Sequence, residues 1–125
     1  FLCCKSVLPI MMQQRSGSII NLTSRAAHDP WPGTTPYGVT KAGIELLTTG
    51  LAQEVREYNI AVNALDPGLV RTEGALYAYP PDFDWSEWDL TPEVVRAPAL
   101  FLAAQDARSF TGRVVRAREF GKGWP

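Results

Sequence analysis

The sequence predicts an α/β fold built on a doubly wound parallel sheet, and three observations carry that expectation. A short apolar run rich in β-branched residues, SIINLTS at 18–24, follows a glycine and reads as a buried strand. From Tyr37 to Tyr58 the apolar residues Val39, Ile44, Leu47, Leu51 and Val55 recur at threes, fours and fives, a period that only a helix satisfies. A second short run, NIAVNAL at 59–65, gives another strand. Strand, long helix, strand in about 50 residues is a βαβ unit, which implies parallel strands and a right-handed crossover.

The remaining elements follow from local signals. Residues 1–14 carry Leu2, Val7, Leu8, Met11 and Met12 at helical intervals, with Pro9 as a kink point and RSG as the stop, so a helix with one buried face is expected. The segment 25–36 is punctuated by Pro30, Pro32, Gly33 and Pro36 and reads as a loop. After the second strand, DPG turns the chain. The stretch from Tyr77 to Asp89 is both aromatic and acidic and contains Trp85 and Trp88. TPEVVRAPALFLAAQ opens with Thr91 as a cap and Pro92 in the first turn, a helix-start signature, and TGRVVRARE is a third strand candidate.

Composition bounds the function. The 125 residues suffice for one small domain, and 46% apolar with 20% charged residues is the balance of a soluble globular chain. A net charge of −1 gives no basic field, which argues against nucleic acid and anionic membrane as partners, and no apolar run approaches the ~20 residues of a bilayer span. The opening FLCCKSVLPIMM lacks a basic leader and an initiating Met and reads as the middle of a helix, so a fragment is expected. Cys3 and Cys4 are adjacent on that helix and point about 100° apart; they read as small apolar residues in a reducing cytoplasm, not as a disulfide.

The chemistry centres on Tyr37 and Lys41, four residues apart and therefore on one side of a helix. That spacing alone recurs by chance and fits a solvated helical face. Ser24 changes the reading, because it lies at the carboxyl end of the preceding strand, where open parallel sheets place their ligands. A phenol has a reference pKa near 10, too high for easy proton exchange at neutral pH, and a neighbouring ammonium favours the phenolate. Lys41 is then the electrostatic tuner, Tyr37 the proton donor to a carbonyl oxygen or acceptor from an alcohol, and Ser24 the hydroxyl that holds that oxygen. Such a trio suits carbonyl/alcohol interconversion with a separate hydride carrier.

SGSIINLTSRAA, YGVTKAG and VNALDPGLVRTEG together resemble the short-chain dehydrogenase/reductase family: its strand ending in a catalytic Ser, its Tyr-x-x-x-Lys helix and its Pro-Gly loop. The thirteen-residue step from Ser24 to Tyr37 and the run TPEVVRAPALFLAAQDARSFTGRVV are also similar to that family. The resemblance implies that the chain is the carboxyl-terminal half of a Rossmann-like domain, with Ser24, Tyr37 and Lys41 in the catalytic places. It implies NAD or NADP as cofactor, cupped at the nicotinamide end by Pro67, Gly68, Val70 and Thr72, with Tyr37 and Lys41 also at the cofactor and Lys41 on the nicotinamide ribose. It further implies a substrate lid over 73–90, where Trp85 and Trp88 suit an apolar or ring-bearing substrate, and a homodimer or homotetramer in the complete protein.

The departures are equally definite. The glycine-rich turn that would hold the pyrophosphate is nowhere in these residues, Asn21 does not match the family's catalytic Asn, and REFGKGWP replaces the usual Asp-Gly-Gly near the end. His28, the only histidine, reads as a solvated loop side chain, and no metal site is expected. The resulting expectation is an NAD(P)-dependent oxidoreductase of ketones and secondary alcohols, with these 125 residues alone inactive. The rival is a non-enzymatic interaction module that uses the helices at 1–14 and 37–58 as a dimer interface. A hydrolase using Ser24 has no base placed to activate it.

Overall fold

The computed structural model describes residues 1–86, 88 and 91–125. Among these, three parallel strands lie in the order β1 (Gly17–Leu22), β2 (Ile60–Asp66), β3 (Val114–Arg116), with Gly17 opposite Ile60 and Leu65 opposite Val115. The expected βαβ crossover is present: α2 (Thr35–Glu54) links β1 to β2. All seven residues of β2 are buried, as the middle strand of a sheet covered on both faces requires.

Each face has its own core. On one, Ile19, Ile60 and Val62 pack with Cys4 of α1 (Leu2–Gln14), with Leu51 and Ala52 of α2 and with Val55 just past its end. On the other, Leu65 and Val115 pack with Leu102 of α4 (Arg96–Ala103) and with Trp124. The Ser18 hydroxyl donates to the Leu102 carbonyl (2.7 Å), tying the last turn of α4 to β1.

The expected helix at 91–105 is split. Pro98 has no N–H to give the Val94 carbonyl, so an α-helix here must place it in the first turn, and α4 begins only at Arg96. The preceding Pro92–Val95 forms a 3-10 turn. Thr91 makes no side-chain cap; its hydroxyl turns to the Glu93 carboxyl and holds it below the ordinary value. α2 starts two residues before Tyr37, because Pro36 is tolerated at a helix start, and residues 56–58 tighten into a separate 3-10 turn.

The third strand is shorter than TGRVVRARE suggests. Gly112 has φ of 71°, which interrupts extended backbone. Side chains complete the pairing: Val62 N–H donates to the Thr111 hydroxyl (3.0 Å), and Asn63 donates to the Phe110 carbonyl (3.0 Å) while accepting from Arg113 N–H (3.1 Å). After β3, REFGKGWP folds back. Trp124 Nε1 donates to the Arg116 carbonyl (2.9 Å), and Phe120 and Trp124 pack on Phe101, with ring centroids 5.7 and 5.8 Å away.

The apolar pattern finds part of each buried face, since Leu8, Met11 and Met12 pack on the core and Leu51 and Val55 are buried in it, but other positions differ. Leu2 and Val7 of α1 are exposed, and Cys4 is the residue it buries. In α2, Val39 is 68% exposed while Gly38, Glu45 and Thr48 are buried. Asn21 bridges the two helices, donating to the Thr48 hydroxyl (2.9 Å) and accepting from the Cys4 thiol (3.8 Å). Cys3 and Cys4 are both free thiols. Among the described residues no helix is long and apolar enough to cross a membrane.

Candidate active site

β1 and β2 end side by side, and the chain after each builds a rim at that end of the sheet. Ser24, half-buried and extended (φ −157°), caps the 3-10 turn Arg25–Ala27 by accepting from Ala26 N–H (3.3 Å). This uses a lone pair and leaves the hydroxyl hydrogen for another acceptor.

Tyr37 and Lys41 arrive on the first turns of α2. Lys41 Nζ donates to the carbonyl of Leu22, the last residue of β1 (3.0 Å), and lies 5.5 Å from the centroid of the Tyr37 ring. The strand end thus fixes the ammonium on one side, and the i, i+4 step of the helix places the phenol beside it. Tyr37 is 47% exposed. Among the described residues, no hydrogen bond links the side chains of Ser24, Tyr37 and Lys41 to one another.

Gly38, not singled out in the sequence, makes this placement possible. A Cβ there would lie 2.6 Å from the backbone oxygen of Ala26, so only glycine lets α2 approach the Ser24 turn so closely. Its position directly after Tyr37 was the available signal.

The sequence also gave no hint of what His28 does. Its Nε2 lies 2.6 Å from one carboxylate oxygen of Glu45, and the other accepts from the Thr23 hydroxyl (2.7 Å). His28 is therefore partnered, although more than half of its side chain is exposed. Glu45 stands one turn beyond Lys41 on α2, the one charged side chain among the helix's buried residues Gly38, Glu45, Thr48, Leu51 and Ala52.

The loop after β2 holds the other expected residues. Asp66 accepts from Gly68 N–H (2.9 Å) in a turn where Gly68 has φ of 80°, a conformation suited to glycine. Pro67, Gly68 and Val70 are half-buried, and Thr72 caps α3 (Glu73–Ala78), accepting from Ala75 N–H (3.1 Å). Beyond α3, Tyr79, Phe83, Trp85 and Trp88 pack on one another with ring centroids 4.3 to 6.1 Å apart. Backbone and hydroxyl donors of Ser86 hold the Asp84 carboxyl below its ordinary value. Glu87, Asp89 and Leu90 of the expected lid lie outside the described residues.

Comparison with known proteins agrees with the parallel α/β architecture. The short chain dehydrogenase family profile matches residues 1–79. The chain is 39% identical over 120 residues to the 3-oxoacyl-[acyl-carrier-protein] reductase FabG of Chlamydia pneumoniae, covering 90% of this chain and 48% of that protein. Among solved structures, ElxO with NADP bound superposes with a TM-score of 0.78 at 29% identity, over 92% of this chain and 50% of ElxO. A 3-oxoacyl-[acyl-carrier protein] reductase of Brucella melitensis with bound NAD gives 0.74 at 30% identity, over 91% of this chain and 44% of that one. The chain spans a little under half the length of the curated relatives it matches. On the profile match, the parallel sheet and these likenesses together, the chain belongs to the short chain dehydrogenase family.

Proposed function

We propose that the complete protein is an NAD(P)-dependent oxidoreductase that interconverts a ketone and a secondary alcohol, with Tyr37 as the acid and base. The observation that supports this best is the Lys41 ammonium, pinned to the Leu22 carbonyl and 5.5 Å from the Tyr37 ring. The direct test is consumption of NADPH or NADH by the complete protein across a panel of ketones. Ketone-dependent consumption is expected, and its absence with every pairing would overturn the reading.

The residues present fit a dinucleotide at its nicotinamide end. Lys41 spends one of its three N–H donors on Leu22, and Thr72 uses its oxygen as an acceptor but keeps its O–H to donate. Pro67, Gly68, Val70 and Thr72 would hold the nicotinamide end, and Lys41 the adjoining ribose. The dinucleotide, when bound, supplies or takes up the hydride. Ser24 donates to the substrate oxygen and orients it, Tyr37 passes its proton to that oxygen during reduction, and Lys41 stabilises the phenolate left behind.

Residues 73–90 serve as the substrate lid. The aromatic cluster of Tyr79, Phe83, Trp85 and Trp88 supports a lid that turns an apolar wall toward an apolar or ring-bearing substrate. Replacing both Trp85 and Trp88 with alanine is expected to shift the kcat/KM ratio between ring-bearing and short aliphatic ketones by about tenfold, as loss of a few apolar contacts does. An unchanged ratio would reject the lid assignment.

These 125 residues contain no glycine-rich turn for the pyrophosphate. A titration of this chain by itself with NADP or NAD is expected to show no tight binding and no turnover; tight binding would overturn that expectation. A groove of about 590 Å³ between α1 and α2, lined by Phe1, Leu8, Gly43, Leu46, Leu47 and Gly50, supports a homodimer or homotetramer of the complete protein. It is also what the rival reading, a partner-binding module without catalysis, would use. The exposed free thiol of Cys3 supports a reducing, cytoplasmic setting.

A further inference from the structure

The functional reading leaves Glu45 and His28 without a task, yet their contacts surround Ser24. Glu45 is buried, and a buried carboxylate is costly unless both oxygens are satisfied. Here both are, by the residue immediately before Ser24 and by the residue four after it. Thr23, itself 2% exposed, donates its hydroxyl to one oxygen (2.7 Å). His28, which closes the 3-10 turn begun at Ser24, contacts the other through Nε2 (2.6 Å). One side chain of α2 thus grips the chain on both sides of Ser24.

The same carboxylate stands on the helical turn next to Lys41. The Thr23 hydroxyl also lies 3.4 Å from the Lys41 carbonyl, while Lys41 Nζ reaches back to Leu22. Leu22, Thr23 and His28 are therefore each tied to α2 by a polar side-chain contact, and Ser24 sits among them. On its other side, Glu45 borders a cavity of about 240 Å³ with His28, Asp66, Val114, Arg116 and Glu119. Arg116 lies 3.4 Å from Glu119 and Asp66 accepts from Gly68 N–H, which leaves His28 as the side chain that partners the second oxygen. Among the described residues no cluster of three or more ligand-type side chains could make this a metal centre.

We propose that Glu45 is a positioning residue: through Thr23 and His28 it fixes the Ser24 hydroxyl relative to Tyr37 and Lys41. The inference rests on the oxidoreductase reading above. A leucine of similar size at 45 would fill the same volume but leave the buried Thr23 hydroxyl with only its longer contact to the Lys41 carbonyl (3.4 Å), so the carboxylate serves its polar partners and not the packing. Packing alone therefore does not account for a carboxylate here.

The experiment uses the complete enzyme. Glu45→Leu is expected to lower kcat by roughly 10- to 100-fold, the effect of a reacting group misplaced by about 1 Å, with dinucleotide Kd nearly unchanged, a lower melting temperature because the Thr23 hydroxyl loses its acceptor, and kcat read at a temperature where the variant is fully folded. Glu45→Gln, which keeps an acceptor for Thr23 and a polar end toward His28, should recover most of kcat. If Glu45→Leu does not fold, Thr23→Val removes one arm at constant volume and should lower kcat in the same selective way. A Glu45→Leu or Thr23→Val kcat within about twofold of the parent overturns the proposal, as does a loss shared equally by the Gln variant and by dinucleotide binding. Tyr37→Phe, run alongside, separates the two levels. If it abolishes turnover while Glu45→Leu does nothing, only the positioning role falls; if it leaves turnover intact, the oxidoreductase reading falls and takes this role with it.

Discussion

Replacing Tyr37 with phenylalanine is expected to lower kcat of the complete enzyme by roughly 10²- to 10⁴-fold, the range over which a positioned acid or base acts. The same change should leave melting temperature and dinucleotide affinity close to those of the parent. The phenol is nearly half exposed, so removing its oxygen opens no cavity and strands no buried partner. The ring remains to face the Lys41 ammonium and to cover the start of α2. Lys41→Met gives a contrasting signature. It removes the ammonium and also the bond to the Leu22 carbonyl, so kcat, cofactor binding and the seating of α2 should all suffer. Turnover by Tyr37→Phe within about tenfold of the parent would show that the proton comes from elsewhere, and the three-residue constellation would lose its centre.

The fold was legible where one physical signal dominates. The β-branched runs at SIIN and IAVN are both strands, though only β2 is buried throughout while β1 buries Ile19 alone, and the helical period between them forced a crossover, so the parallel pair β1 and β2 followed. The signal failed where local backbone chemistry competes with hydropathy. Pro98 moved the start of α4, and Gly112 delayed β3 although the residues before it still pair through Thr111 and Asn63. Period is also not phase. The apolar spacing in α2 identified a helix and Leu51 faces the core, but Val39 lies outward while Glu45 and Thr48 lie inward, because the strand end offers Thr23 and Asn21 as polar partners there.

The site divides in the same way. Ser24, Tyr37 and Lys41 stood out in the sequence by their place beside element boundaries, and the structure seats Ser24 just past β1 and the other two on the first turns of α2, with Lys41 tied to the end of β1. His28 was not, because its meaning lies in a contact across seventeen residues with a carboxylate that looks like any surface charge on a helix. Pairing of that kind appears only when the crossover has been folded. Thr72 lies between the two cases: its place after the Pro-Gly turn marked it, but its capping bond to Ala75 depends on α3, a short helix the sequence did not announce.

Gly38 offers a test in which two known effects oppose each other. Alanine in place of glycine inside a helix ordinarily stabilises by about 0.5–1 kcal/mol, through the unfolded chain. At position 38 the added Cβ would stand 2.6 Å from the Ala26 carbonyl oxygen, and the obstacle is backbone on a fully buried residue, not the movable end of a side chain. Overpacking of this sort costs about 1–3 kcal/mol, so it exceeds the propensity gain and Gly38→Ala should melt below the parent. The strain can relax only by lifting the first turn of α2 from the turn that Ser24 caps, and Tyr37 is the adjacent residue. Turnover should therefore fall by up to about 10²-fold, beyond what the stability loss explains at a temperature where the variant is fully folded. Melting curves and kcat measured on the same preparation decide it. A variant that melts higher and turns over normally would mean that α2 can retreat without disturbing Tyr37, and the close approach of helix and turn would have no part in holding the phenol beside Ser24.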